Sequence, residues 1–257
     1  MDLGLMGKVA LVTGGSRGIG RAIVSRLAAE GCAIGICGRT PETLDAVLAE
    51  LRQGGVTAHG VVADVTAPGE VERFVDEAAT ALGGVDLLVA NVGGTAGGSL
   101  LESTAEEWVK TFDLNLFHAV RAIRSAVPHF EQRGGGSVVT IASVSGAKPG
   151  PRAQYGAAKA GEIFLAGALA WELAPKRIRV NTVSPGSIMF PGGGWAARQA
   201  REPEAFAAWI DRELPWGRLG TPEEVADVVT FVLSDRAMWV NGTHIAVDGA
   251  QGRPTMF

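Results

Sequence analysis

One doubly wound parallel α/β sheet of the Rossmann type, in a single domain with helices on both faces, is the fold this sequence predicts. Three observations predict it. Short apolar runs rich in β-branched residues recur along the chain, each followed by a segment with helical spacing. The first run meets its helix through a glycine-rich turn, Gly14-Gly15-Ser16-Arg17-Gly18-Ile19-Gly20. No composition break, linker, repeat or low-complexity segment divides residues 1–257, so about seven strands belong to one sheet.

Residues 8–13 (KVALVT) form the first buried strand, and residues 21–30, with Ile23, Leu27 and Ala28 on one face, form a helix stopped by Gly31. Residues 32–37 are the second strand. Helix over 41–53, strand over 58–62 running on to Asp64-Val65, and helix over 68–82 follow. Residues 85–90 make a strand that ends at Asn91-Val92-Gly93-Gly94, and a long helix over 105–133 carries Asn115 in its middle. The strand at 138–142 delivers Ser143 at its carboxyl end. The helix over about 154–173 carries Tyr155 and Lys159, and residues 177–183 are a sixth strand running into Ser184-Pro185-Gly186. Residues 187–215 interrupt the alternation and are expected to form a lid over the site. Thr221-Pro222-Glu223-Glu224 caps a helix through Leu233, and residues 242–247 are the last strand.

Bulk properties narrow the function. With 47% hydrophobic and 19% charged residues the chain has ample core material. A formal charge of −4 without any Lys/Arg run argues against nucleic-acid or anionic-membrane surfaces. No basic region followed by an apolar run marks a signal peptide, and no apolar segment approaches the ~20 residues of a membrane span. Cys32 and Cys37 read as buried thiols of a cytoplasmic protein. His59, His118, His129 and His244 are scattered without metal-ligand spacing, so no metal is expected.

The chemistry gathers at strand ends. A strand, a glycine turn and a helix are the front of a dinucleotide-binding unit, in which glycines let a pyrophosphate approach the helix N-terminus. An acidic residue closing the second strand would bond the ribose 2′-OH of NAD; here Gly38 stands there, with Arg39 next and Arg17 inside the turn. Two guanidiniums suit a 2′-phosphate, so NADP(H) is the expected cofactor. Tyr155 and Lys159 share one helix face a turn apart. A free tyrosine titrates at ~10. With an effective dielectric of about 20, an ammonium ~4 Å away contributes roughly 4 kcal/mol towards the phenolate, which makes a general acid/base. Gly14–Gly20, Asp64, Asn91–Gly94, Ser143 and Pro185–Gly186 all lie at carboxyl ends of strands, where open parallel sheets bind ligands.

With these residues in view the chain resembles the short-chain dehydrogenase/reductase family from end to end. Residues 13–20 match its TGxxxGxG turn, Asn91-Val92-Gly93 the end of its NNAG element, and Pro185-Gly186 its PG turn. Asn115, Ser143, Tyr155 and Lys159 match its catalytic positions. The resemblance implies that Tyr155 exchanges a proton with a carbonyl or alcohol oxygen that Ser143 also bonds. It implies that Lys159 holds the nicotinamide ribose and that Asn115 holds a water behind it. It adds Asp64 and Val65 against adenine and Asn91, Gly93 and Ile188 along the cofactor groove, beside Gly14, Ser16, Arg17, Gly18, Ile19 and Gly20. Ala90 and Val92 depart from NNAG, and Phe190 stands where the family has a cofactor-contacting Thr, a role Ser187 is a candidate to take over.

Val92, Ser145, Phe190 and Trp195 are the expected substrate wall, and Phe190, Trp195, Phe206, Trp209 and Trp216 an apolar inner face of the lid. The overall likeness is to the 3-oxoacyl-acyl-carrier-protein reductase type, which implies a homotetramer. Its substrate refinement, a 3-oxoacyl thioester, stands beside hydrophobic, cyclic or sugar alcohols and beside a non-catalytic NADP(H)-sensing protein.

Overall fold

Val9 to Thr13 are buried to the last residue, so β1 (Val9–Thr13) carries no polar alternation, as a strand covered on both faces must. In the computed structural model, which describes residues 1–253, it leads into α1 (Gly18–Ala29), β2 (Ala33–Gly38), α2 (Pro41–Gln53) and β3 (Ala58–Val62). Then come α3 (Glu70–Leu82), β4 (Leu87–Ala90), α4 (Ala105–Phe112), α5 (His118–Arg133), β5 (Gly136–Ile141), α6 (Ala153–Leu173) and β6 (Ile178–Pro185). The last elements are α7 (Gly194–Arg201), α8 (Pro203–Glu213), α9 (Pro222–Leu233) and β7 (His244–Val247).

The seven strands are parallel and ordered β3-β2-β1-β4-β5-β6-β7. The chain winds outward through β2 and β3, then returns to lay β4 against β1 on the other side. That reversal parts the loops after β1 and β4 and opens a crevice at their carboxyl ends. One apolar core packs α1, α2 and α9 on one face of the sheet, around Ile23, Leu27 and Val229. The other packs α3, α5 and α6 on the opposite face, around the fully buried Phe74 and Phe130.

Boundaries moved where the backbone required it. Gly69 takes φ +79, a left-handed conformation, so α3 starts at Glu70 and not at 68. β6 runs on to Pro185, because Ser184 and Pro185 still pair with Ala246 and Val247 of β7. The helix expected over 105–133 is interrupted by a π-helical turn at Asp113–Phe117 between α4 and α5. There the His118 N–H donates to Asp113 O, five residues back. The wider turn frees carbonyls that an α-helix would use.

Candidate active site

Thr13 anchors the crevice. It is fully buried, and its Oγ1 accepts from the Asn91 N–H (2.9 Å) and the Val92 N–H (3.3 Å). Asn91 Nδ2 donates back to Thr13 O at 2.9 Å and to Gly14 O at 3.3 Å. The Gly14 N–H donates to Cys37 O at 3.0 Å, so the ends of β1, β2 and β4 are tied together. Gly20 sits where this knot closes: a Cβ there would lie 2.3 Å from Gly14 O and 2.5 Å from Asn91 Nδ2. No side chain caps α1, whose N-cap residue is Arg17, so its first N–H groups face the crevice free.

The crevice is a cleft of about 670 Å³. Gly14, Ser16, Arg17, Gly18, Ile19 and Gly20 form one wall, and Arg39, Asp64 and Val65 one end. Asn91, Val92 and Gly93 form the floor towards Ser143, Tyr155 and Lys159, while Pro185, Gly186, Ile188, Phe190 and Trp195 close the other side. The Thr66 N–H (2.9 Å) and hydroxyl (2.7 Å) both donate to Asp64 Oδ1 and hold that carboxyl below its ordinary range.

Lys159 is almost wholly buried. Its Nζ donates to Ile141 O at 2.7 Å and stands 5.8 Å from the centre of the Tyr155 ring. Ser143 Oγ accepts from the Ser145 N–H at 3.1 Å. Asn115 lies behind the floor and does not line the cleft. Fully buried in the π turn, its Nδ2 donates to Gly94 O (2.7 Å) and to the Thr111 carbonyl (2.6 Å), and its Oδ1 accepts from the Gly94 N–H (3.1 Å). A Cβ at Gly93 would lie 2.8 Å from Asn115 Oδ1 and 3.0 Å from Lys159 Nζ, so these three residues meet at one point.

Ser145 lies in the 3₁₀ turn Val144–Gly146 between Ser143 and α6, where a Cβ on Gly156 would stand 2.8 Å from Ser145 O. Several expectations need correcting. Ser187 does not take the place of the missing Thr. It is buried outside the cleft, with its N–H bonded to Gln251 Oε1 at 2.7 Å. Phe190 instead lays its ring on the glycine turn, 2.9 Å from where a Cβ of Gly18 would be. Within the lid, Trp195 stacks on Trp209 (centroids 4.4 Å apart) and Phe206 packs beside both, with Arg198 over the two indoles. Trp216 is 72% exposed beneath the Arg218 guanidinium and belongs to no inner face.

The structure also adds residues. For Thr13, the first residue of the TGxxxGxG match, it adds a role, the brace between the ends of β1 and β4. His118, wholly buried, is pushed down to about 3 by burial and then by the Lys159 charge, so its ring is neutral. Glu162, three residues after Lys159, pairs with it at 2.7 Å inside the protein, and its helical spacing was visible in the sequence.

A family model described as enoyl-(acyl carrier protein) reductase matches residues 14–250. Dehydrogenase/reductase SDR family member 4 of Homo sapiens is 36% identical over 249 residues, 95% of this chain and 87% of the relative. The chain belongs to the short-chain dehydrogenase/reductase family. Isoepoxydon dehydrogenase of Penicillium expansum is 32% identical over 100% of this chain and 99% of its own. Among solved structures, L-sorbose reductase from Gluconobacter frateurii, complexed with NADPH and L-sorbose, superposes with a TM-score of 0.93 at 32% identity. That match covers 99% of this chain and 100% of the other. A 7α-hydroxysteroid dehydrogenase complexed with NADH and 7-oxo glycochenodeoxycholic acid superposes at 0.90 and 28% identity, covering 98% and 97%. As a short-chain dehydrogenase/reductase, this chain is an oxidoreductase.

Proposed function

We propose that this protein interconverts a carbonyl and a secondary alcohol with NADP(H), using Tyr155 as general acid/base. The observation that carries the reading is the meeting of Ser143, Tyr155 and Lys159 in the cleft that begins at the glycine turn. Gly20 lets α1 start hard against Gly14 and Asn91, and the uncapped start of α1 suits a pyrophosphate lying against it. Lys159 would hold the nicotinamide ribose and Asp64 and Val65 the adenine end. Bound there, the nicotinamide supplies or accepts the hydride. Tyr155 gives its proton to the substrate oxygen or takes one from it, and the Ser143 hydroxyl donates to the same oxygen as charge gathers on it. Asn115 acts from behind, holding Gly94 and the floor beside Lys159.

The NADP preference is supported by Gly38 at the end of β2 and by Arg17 and Arg39 in the cleft wall; among the described residues neither arginine forms an ion pair. The test is nicotinamide absorbance with NADPH and NADH over a panel of carbonyls, with Tyr155→Phe and Arg39→Asp as variants. Tyr155→Phe is expected to abolish turnover while keeping cofactor binding, and Arg39→Asp to erode selectivity for NADPH. Wild-type turnover in the first or equal use of both cofactors by the parent would remove the corresponding claim.

For the substrate, a cyclic or sugar ketone is favoured over a 3-oxoacyl thioester. The relatives named above are described with a ketose, an oxo bile acid and isoepoxydon, and the stacked Trp195–Trp209 pair gives the cleft mouth an aromatic wall. A thioester in the same panel decides between them. We further propose a homotetramer: exposed Val109, Phe117, Val120, Phe164 and Trp171 on and between α4, α5 and α6 are apolar faces of the kind that close dihedral assemblies. A monomer mass by light scattering would refute it. No helix among the described residues is long and apolar enough to cross a membrane. The proposed location is the cytoplasm, with Cys32 and Cys37 unpaired and buried.

A further inference from the structure

The core-facing stripe of α6 reads Ala158, Glu162, Ala166, Ala170, each four residues after the last and each buried. A carboxylate in that row is out of place on packing grounds alone. Its side chain is 0% exposed, its Oε2 stands in ion-pair contact 2.7 Å from Lys159 Nζ, and neither carboxylate oxygen has a well-aligned hydrogen-bond partner among the described residues. Removing two ions from water costs several kcal/mol each, and similar pairs are often replaceable by apolar residues without loss of stability. Stability therefore gives no reason for Glu162 to be there. Its neighbour does: Lys159 is the cation beside Tyr155.

We propose that Glu162 is a positioning residue that, as the internal counter-ion of Lys159, sets how much of the ammonium's field reaches the Tyr155 phenol. The proposal rests on the reading of Tyr155 as general acid/base. When Glu162 is neutral the ammonium acts on the phenol at full charge. When Glu162 ionises the pair is neutral overall and the phenolate loses part of its support. Burial pushes the Glu162 carboxyl well above the usual carboxylate range, against the pull of Lys159, so this change falls in the working range of pH and not in acid.

The surroundings leave few competitors. On α6 itself Lys159 and Tyr155 are the titratable neighbours. From α5 His118 faces the pair and stays neutral, while Arg121 is bound to Asp113 at 2.8 Å and to Val65 O. β5 and β6 bring Ile141 O, Thr140 and Thr182, the last donating to the Glu162 carbonyl at 3.4 Å, and Arg179 at the far end of β6 binds carbonyls of residues 233, 234 and 240. His244 on β7 is the register partner of Thr182. α4 carries only the rim groups Glu106, Glu107 and Lys110.

The chain's single tyrosine makes a direct test possible without substrate or cofactor. Isotopically labelled tyrosine gives one ring resonance, whose titration follows Tyr155 alone. Glu162→Gln is expected to lower the titration midpoint by about one and a half pH units, the Coulomb effect at an effective dielectric of about 20 over a separation of ~8 Å. A midpoint that stays or rises overturns the proposal. Should that variant not fold, Lys159→Met and the pair Lys159→Met/Glu162→Leu replace it. The double variant should titrate below Lys159→Met, and equal midpoints overturn the proposal. A chain inactive on every carbonyl would sink the proposed function yet leave this titration readable. Full activity with no shift would sink the Glu162 proposal alone.

Discussion

Replacing Asn115 by Ala removes the side chain whose hydrogen bonds join the π turn to the loop after β4. Three hydrogen bonds go: Nδ2 to Gly94 O (2.7 Å), Nδ2 to Thr111 O (2.6 Å), and the Gly94 N–H to Oδ1 (3.1 Å). At about 1 kcal/mol net for each bond the loss is roughly 3 kcal/mol, and the site is fully buried, so water does not readily replace the amide. In a chain of this size about 1 kcal/mol moves the melting temperature by roughly 2–4 °C, which puts the expected fall at about 6–12 °C. Differential scanning fluorimetry with a urea titration as a second measure would record it. A fall under about 2 °C would mean that the turn holds its shape without the amide, and the account of Asn115 as a brace would be wrong. Asn115→Asp should do no better than Ala, since a carboxylate cannot donate to either carbonyl.

Other outcomes follow from single observations. His118, held near 3 in the fold against an ordinary 6.5, is neutral in both states above pH 6.5; as pH falls from there towards 3 the unfolded chain takes up a proton that the fold refuses. That costs about 2 kcal/mol by pH 5, so His118→Phe should flatten the acid side of a stability–pH curve, and an unchanged slope between pH 7 and 5 would refute it. Glu162 works in the opposite sense, its raised carboxyl adding stability below its unfolded value and losing it as pH rises through its folded one, so variant and parent must be compared at each pH. Gly20→Ala forces a methyl to within 2.3 Å of Gly14 O, a rigid backbone atom, and should cost about 1–3 kcal/mol of stability and most nucleotide affinity. Near-parental NADPH binding by fluorescence would show that the knot yields. Burial pushes both Cys32 and Cys37 up to about 12, so neither thiol should react with an alkylating reagent until the chain is unfolded. Native-state labelling detected by mass spectrometry would contradict that.

Much of the site was legible because its signals are local. The TGxxxGxG turn has to be glycine-rich wherever a helix start approaches a strand end this closely, and Gly20 shows the reason at atomic scale. Tyr155 and Lys159 needed only helical spacing to share a face, and the almost wholly apolar β1 and β4 announced a sheet covered on both faces. The π turn left no such trace, since one extra residue in a turn changes hydrogen-bond partners without changing composition or breaking the apolar stripe. Trp216 was misplaced for a related reason. Residue type predicted what could line a pocket, whereas the direction of a short turn decided what did.

The chain's own pattern thus determined the parallel sheet, the helices between its strands, the glycine turn and the placing of Tyr155 and Lys159 on one helix face, because each depends on residues within a few positions of one another. Only the folded molecule decided which distant groups share a dry space. Phe190 lies on Gly18 across more than half the chain, Thr13 binds Asn91, and Asn115 reaches back to Gly94. Glu162 is the sharpest case: its spacing from Lys159 was in plain view, yet on an exposed helix such a pair contributes about 0.3–0.5 kcal/mol and does little else. It is the covering of α6 by β5, β6 and the π turn that excludes water, lowers the local dielectric and turns the same two residues into a buried pair beside the Tyr155 phenol.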